Sequence, residues 1–181
     1  MRGLLLDRDG VINVDHGYVH RIDRFDFTPG IFELVRLAQD LGLRIAVVTN
    51  QAGIARGYYD EAQFLELTRW MEARFAAAGV ALAGVHWCPY HLEGKGDYVR
   101  DSFWRKPNPG MLLEAAARHG LDLARSIMVG DQPTDMTAAA RAGVGRRVLL
   151  THGRDTVLAP DADTRVGTLP ELAERLPGLL P

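Results

Sequence analysis

Asp7 and Asp9 stand two residues apart in the run Asp7-Arg8-Asp9-Gly10, directly after the apolar Leu4-Leu5-Leu6. That is the carboxyl end of a short buried strand, where open α/β sheets place their ligand sites. One carboxylate of such a pair can act as a nucleophile while the other oxygens help hold a hard cation. Three more groups stand at comparable places along the chain. Thr49 and Asn50 end the apolar run Ile45-Ala46-Val47-Val48, Asp131 follows Ile127-Met128-Val129-Gly130, and Lys106 precedes a helical segment. In a parallel sheet such strand ends share one edge, so the groups can converge. Three aspartates and a lysine suit phosphoryl transfer, which needs a metal ion and fixed positive charge around a dianion.

The roles follow from the chemistry of each group. Asp7 is the expected nucleophile, forming an aspartyl-phosphate. Asp9 is the expected acid for the leaving alkoxide, and then the base for the hydrolytic water. Thr49 offers a hydroxyl and Asn50 a backbone N–H to a phosphoryl oxygen. Lys106 supplies charge to the phosphate and keeps Asp7 ionised. Mg²⁺ is the expected cofactor, held by Asp7, the Asp9 carbonyl and Asp131. Asp135 lies one turn beyond Asp131 and is expected behind them, orienting Lys106 or a metal-bound water. Taken singly, these residues have plainer readings: Lys106 as a surface lysine, Asp131 as a helix N-cap, Asp7 and Asp9 as solvated strand-end carboxylates. Their combination in this order is what argues for chemistry.

The elements that must position these groups alternate strand and helix, which predicts an α/β three-layer sandwich on a mostly parallel sheet. Strands are expected over residues 3–7, 44–49, 83–88, 126–129 and 147–150, with one more short strand in the tail. Helical spacing runs from Ile31 to Leu41, from an N-cap at Asp60 to about residue 78, over 111–119, 133–142 and about 169–176. Residues 50–57 read as a loop of small and polar residues, and 89–107 as a long irregular insertion of the kind that is usually functional. No linker divides the 181 residues, a length that suits one domain with a full core.

Composition narrows the partners. A formal net charge of −2 with no basic stripe argues against nucleic acid. No apolar run reaches the roughly 20 residues of a membrane span. The single cysteine, Cys88, excludes an internal disulfide framework. The expectation is a cytoplasmic monomer acting on a small molecule.

The motifs also resemble a known family. Asp7-x-Asp9, Thr49, Lys106 and Gly130-Asp131-x-x-x-Asp135 resemble the haloacid dehalogenase superfamily in type and order. The stretches DRDGVINVDHGY from Asp7, TNQAGIARGY from Thr49 and RKPNPGM from Arg105 are similar to those of the D,D-heptose 1,7-bisphosphate phosphatases, over about residues 3–150. The resemblance implies a Rossmann-like core without a large cap domain. It implies Mg²⁺-dependent removal of the C7 phosphate of a sugar bisphosphate. It also implies a sugar pocket lined by Asp15, His16, Gly17 and Tyr18, substrate contacts from Thr49, Asn50, Gln51 and Ala52, and Arg105 on the distal phosphate or sugar. An Arg is suited to a bidentate phosphate contact. Arg56 reads equally as a surface residue.

Two departures stand out. Family members usually carry a structural zinc in the insertion, on a Cys-x-His and a Cys-x-Cys pair. Here these read Cys88-Pro89-Tyr90, with His91 one place late, and Ser102-Phe103-Trp104. Three of the four ligands are missing, so structural zinc is expected to be absent. A fallback set of His86, Cys88, His91 and Asp101 is the less favoured alternative. Phe103, Trp104, Tyr98 and Trp87 are expected to staple the loop instead. Gln132 stands where many relatives have a lysine. Histidinol phosphate or another small monoester is the alternative substrate class, and a non-catalytic binding protein on the same scaffold is the alternative from another class.

Overall fold

The three apolar residues that precede Asp7 form the centre of the protein. In the computed structural model, which describes residues 1–154 and 158–180, strand β1 (Gly3–Leu6) is buried throughout. It pairs in parallel with β2 (Arg44–Asn50) on one side and β4 (Ile127–Gly130) on the other. Beyond them lie β3 (Leu82–Cys88), β5 (Arg146–Leu150) and β6 (Thr164–Val166). The order β3-β2-β1-β4-β5-β6 is wholly parallel. The chain winds outward from β1 in one direction and then in the other, so the topological switch point lies at the carboxyl end of β1.

Alternation along the strands builds two core layers. Leu4 and Leu6, Ile45 and Val47, and Ile127 and Val129 face one side. There they meet α1 (Ile31–Asp40), α3 (Glu61–Ala77) and α6 (Leu169–Leu179). Leu5, Ala46, Val48 and Met128 face the other, against α4 (Gly110–His119) and α5 (Pro133–Ala142). This is the period-two consequence of strand geometry. At the head of α3, Asp60 accepts from the Gln63 N–H at 2.8 Å and the Gln63 side chain accepts from the Asp60 N–H at 3.0 Å, a capping box.

The structure corrects two expectations. Residues 52–56, read as loop, form the short helix α2 (Ala52–Arg56), because Gly53, Ile54 and Ala55 are buried rather than solvated. The four insertion aromatics do not make one staple. Trp87 packs on Phe64 at 4.8 Å and Tyr98 on Tyr90 at 6.1 Å, whereas Phe103 and Trp104 pair at 5.4 Å and stay exposed. Trp87 and Tyr98 pack against the small cluster of Ile54, Tyr59 and Phe64, while the Trp104 indole N–H reaches Glu114 on α4.

Candidate active site

Asp7 leaves β1 with its N–H still in the ladder, donating to the Val129 carbonyl at 3.0 Å. Its carboxylate is therefore placed by the two central strands. Lys106 reaches it from the insertion, with Nζ 2.8 Å from Asp7 Oδ1, 2.6 Å from Asp135 Oδ1 and 2.9 Å from the Val48 carbonyl. All three ammonium donors are thus used, and the lysine is buried. Asn50 holds the base of this arm: its amide exchanges two 3.0 Å hydrogen bonds with the Lys106 backbone.

Asp131, at the end of β4, completes the group. The carboxylates of Asp7, Asp131 and Asp135 offer ligand atoms within 4.8 Å of one another, the only such cluster of metal-capable side chains among the described residues. Asp135 is already committed on both oxygens, to Lys106 on Oδ1 and to the Gln132 N–H on Oδ2 at 3.0 Å. Asp131 Oδ2 accepts from the Gln132 side-chain amide at 2.8 Å, but its Oδ1 is buried with no partner. A buried orphan acceptor is costly unless something fills its place. Gly10 sits against this carboxylate, and a Cβ there would lie 2.4 Å from Asp131 Oδ2, so only glycine leaves the cradle open.

Charge points the same way. Three buried carboxylates face one ammonium, a surplus of two negative charges that a dication would neutralise. Burial, and then repulsion from Asp135 and Asp131, raise the proton affinity of Asp7 against the pull of Lys106. Burial, then the Asp135 charge, push Asp131 up to about 6. Burial would strip the Lys106 proton, but Asp135 and Asp7 more than offset it and hold the ammonium tightly. The donor set, its surplus charge and the orphaned oxygen fit Mg²⁺, with Asp7 and Asp131 in contact and Asp135 behind.

A stability consequence follows for the metal-free protein. Asp131 binds its proton more tightly folded than unfolded, so its contribution to stability grows as pH falls through about 6. Between pH 7.5 and 5, wild type in chelator is expected to gain on Asp131→Asn in melting temperature, by roughly 2–4 °C per kcal/mol of linkage. Saturating Mg²⁺ should remove the gain. Parallel pH profiles for the two proteins would count against this placement of Asp131.

Asp9 faces a different set of partners. Its carboxylate accepts from Arg8 Nη2 at 2.8 Å and Nε at 3.1 Å, from Asn13 at 3.1 Å and from Gln51 at 3.1 Å. Arg8 is itself buried, packed over the Phe64 ring at 5.8 Å and donating to the Val19 carbonyl. Gln51 is a bridge: its amide N donates to Asp9 and, at 2.8 Å, to Thr49 Oγ1, while its carbonyl accepts from Tyr59. Thr49 Oγ1 therefore accepts from protein and keeps its own proton for another acceptor.

Asp7, Asp9, Asp15, Asn50, Lys106, Asp131, Gln132, Thr134 and Asp135 line a single cavity of about 200 Å³. His16, Gly17 and Tyr18, expected beside Asp15, line a separate hollow of about 410 Å³ with His20 and Arg21. Ala52 opens α2. Arg105 is half-buried and makes one long contact, 3.4 Å to the Tyr90 carbonyl, with no carboxylate partner among the described residues. Burial lowers its proton affinity. Arg56 is paired with Glu93 at 2.8 Å. Among the described residues the fallback zinc set does not gather: Cys88 is buried in the apolar layer, while His86 meets His119 and Glu114.

Two residues here were not singled out from the sequence. Arg8 is an ordinary arginine until its burial beside Asp9 is known. His152 follows β5, adopts φ +52°, and sets Nε2 2.6 Å from the Gly10 carbonyl, next to Asp131. No short-range signal marks it. Only the β4–β5 pairing brings the end of β5 to this edge.

Residues 103–171 match the family model described as HAD-hyrolase-like. The chain is 48% identical over 153 residues to the D-glycero-beta-D-manno-heptose-1,7-bisphosphate 7-phosphatase of Pasteurella multocida, covering 84% of this chain and 83% of that one. It is 52% identical over 150 residues to the D-glycero-alpha-D-manno-heptose-1,7-bisphosphate 7-phosphatase of Burkholderia mallei, covering 82% and 79%. The crystal structure of D,D-heptose 1,7-bisphosphate phosphatase from B. bronchiseptica, complexed with magnesium and phosphate, superposes with a TM-score of 0.84 at 29% identity, over 98% of this chain and 99% of that one.

Proposed function

The chain belongs to the D-glycero-D-manno-heptose-1,7-bisphosphate 7-phosphatase family of HAD-like hydrolases, and on that premise we propose that it removes the C7 phosphate of the heptose 1,7-bisphosphate. The observation that carries the reading is the buried constellation of Asp7, Lys106, Asp131 and Asp135 at the switch point of the sheet.

The Lys106 ammonium and the Arg8 N–H both meet the Asp7 carboxylate at Oδ1, each at 2.8 Å. Oδ2 is then the oxygen for phosphorus. Its attack forms the aspartyl-phosphate and breaks the bond to C7 oxygen. The leaving alkoxide takes a proton from Asp9, and Asp9 later takes one from the water that cleaves the acyl phosphate. To do so, the Asp9 carboxyl turns, protonated, from the Arg8 fork toward the cavity it shares with Asp7, and the proton it takes from the water restores it for the next turnover. Thr49 donates its free hydroxyl proton, and Lys106 its charge, to the phosphoryl oxygens. Mg²⁺, when bound, supplies Lewis-acid neutralisation of the phosphoryl group. The insertion works without a structural zinc, its end being tied instead by Asn50 to Lys106 and by Trp104 to Glu114.

Arg105 is assigned the distal phosphate, because it is half-buried and lacks an anionic partner of its own. A cationic amine, as in histidinol phosphate, would be repelled there. The test is phosphate release from the α- and β-anomers of the bisphosphate beside histidinol phosphate. The heptose is expected to win by a wide margin in kcat/KM, whereas a preference for histidinol phosphate would overturn the assignment. The relatives include phosphatases for each anomer, so the same assay selects between them. Arg105→Gln is expected to raise KM for the bisphosphate by roughly 10–100-fold, the worth of a charge-assisted contact. It should leave hydrolysis of p-nitrophenyl phosphate, which has no second phosphate, unchanged. Equal losses on both substrates would place Arg105 elsewhere in the mechanism.

A further inference from the structure

Away from the reaction centre, two histidines face each other across β3 and α4. His86 Nε2 lies 3.0 Å from His119 Nε2, with the rings at 70° and their centroids 5.2 Å apart. Glu114 Oε2 is 3.1 Å from the other nitrogen of His86, Nδ1. A carboxylate only accepts, so the proton of His86 sits on Nδ1, and its Nε2 lone pair accepts from the Nε2–H of His119, the proton that a metal ion between the two rings would displace. Glu114 is itself held, by the Trp104 indole N–H at 3.3 Å and by Arg118 at 2.9 Å. His86 is buried, which fixes the direction of that lone pair.

The space beside the two nitrogens is kept by a glycine. A Cβ on Gly84 would stand 2.8 Å from His119 Nε2 and 3.6 Å from His86 Nε2. Gly84 and His86 are two apart on one strand and so share a face. Any other residue at 84 would fill the approach to both rings. Ligation by His119 moves its remaining proton to Nδ1, so that both Nε2 atoms face the ion.

We propose that His86 and His119 form a second metal site, taking a borderline divalent ion such as Zn²⁺ on the two Nε2 atoms, with water completing the shell and Glu114 orienting His86. Carboxylate, imidazole and metal in line is the arrangement that fixes tautomer and ring direction at imidazole sites. A tetrahedral ion about 2.0–2.1 Å from each nitrogen sets them roughly 3.3 Å apart, so the pair opens by only a few tenths of an ångström. Imidazole selects zinc, copper or nickel over magnesium, which separates this pair from the three carboxylates at the sheet edge. Two protein ligands make an exchangeable site, and the cationic Arg44 and Arg118 weaken it further. Its occupant would tie the edge strand β3 to the end of α4, the helix that follows Lys106. The site takes no ligand from the insertion: Cys88 is buried in the apolar layer, and His91 Nδ1 accepts from the Glu93 N–H at 3.0 Å.

The test is calorimetric titration of the chelator-stripped full chain with Zn²⁺, in millimolar Mg²⁺ to cover the carboxylate site. A single zinc ion per chain is expected, with a rise in melting temperature. His119→Gln, at a half-exposed helix end, should abolish both while leaving Mg²⁺-dependent hydrolysis intact. Cys88→Ser should leave zinc uptake unchanged. No uptake by wild type, or uptake that survives His119→Gln, would overturn the proposal. Uptake lost in Cys88→Ser alone would return the metal to the insertion. Zinc that resists chelation would argue against a zinc-free insertion.

Discussion

Asp7→Asn leaves a folded protein that turns over no phosphate ester. The substitution keeps the shape of the side chain and removes the one carboxylate oxygen with a free path to phosphorus. Loss of a covalent nucleophile costs on the order of 10⁴-fold or more in kcat. Stability should move the other way. Burial and the neighbouring Asp135 and Asp131 already disfavour the Asp7 charge. Lys106 also has Asp135 at 2.6 Å and the Val48 carbonyl at 2.9 Å, partners the substitution does not touch. The expected melting temperature in chelator is therefore unchanged or higher. Rapid quench with labelled substrate gives the decisive reading: wild type should carry an acid-stable, base-labile phosphoryl group and Asp7→Asn none. Near-normal turnover by Asp7→Asn would end the covalent mechanism.

Much of this arrangement is legible before any coordinates. Leu4-Leu5-Leu6 reads as a short buried strand, and Asp7 then leaves its carboxyl end. The runs before Thr49 and Asp131 carry the same message, so three strand ends and their charges could be placed on one edge. Arg8 was not legible, because a buried arginine is rare and its partner Asp9 is a neighbour whose direction is set only by the turn. His152 was not legible either, since its contact with Gly10 spans 142 residues. Gln132, by type alone, marks only the place where many relatives have a lysine. The structure shows what the amide does instead: it donates to one oxygen of Asp131 and leaves the other bare. Residues 52–56 read as loop because small residues signal loops, yet here their smallness lets a helical turn bury itself under Tyr59 and Phe64. The four aromatics split for a period-two reason: His86 and Trp87 are successive on β3 and face opposite layers, Trp87 joins Tyr98 on one, and Trp104 reaches Glu114, the partner of His86, on the other.

Lys106→Met is the harsher change, because it removes the only cation among three buried carboxylates. Breaking a buried ion pair from one side costs about 3–5 kcal/mol, since the remaining charge stays desolvated and unpaired. At roughly 2–4 °C per kcal/mol, the melting temperature should fall by about 10 °C. Activity should fall by about 10²–10³-fold, the usual cost of losing one electrostatic stabiliser of a developing charge. Mg²⁺ should recover part of the lost stability, because a dication would cancel the same surplus. Lys106→Arg is expected to rescue poorly. A planar fork cannot point three donors at Asp7, Asp135 and the Val48 carbonyl as an ammonium does. The double variant Lys106→Met with Asp135→Asn separates the two roles of the lysine. It removes the strongest repulsion along with the cation, so stability should return toward wild type while activity stays low. If activity returned as well, Lys106 would be only a counter-ion for Asp135. If neither returned, the stability of the site would rest on Asp7 and Lys106 alone, and the ion triad would have to be redrawn as a pair.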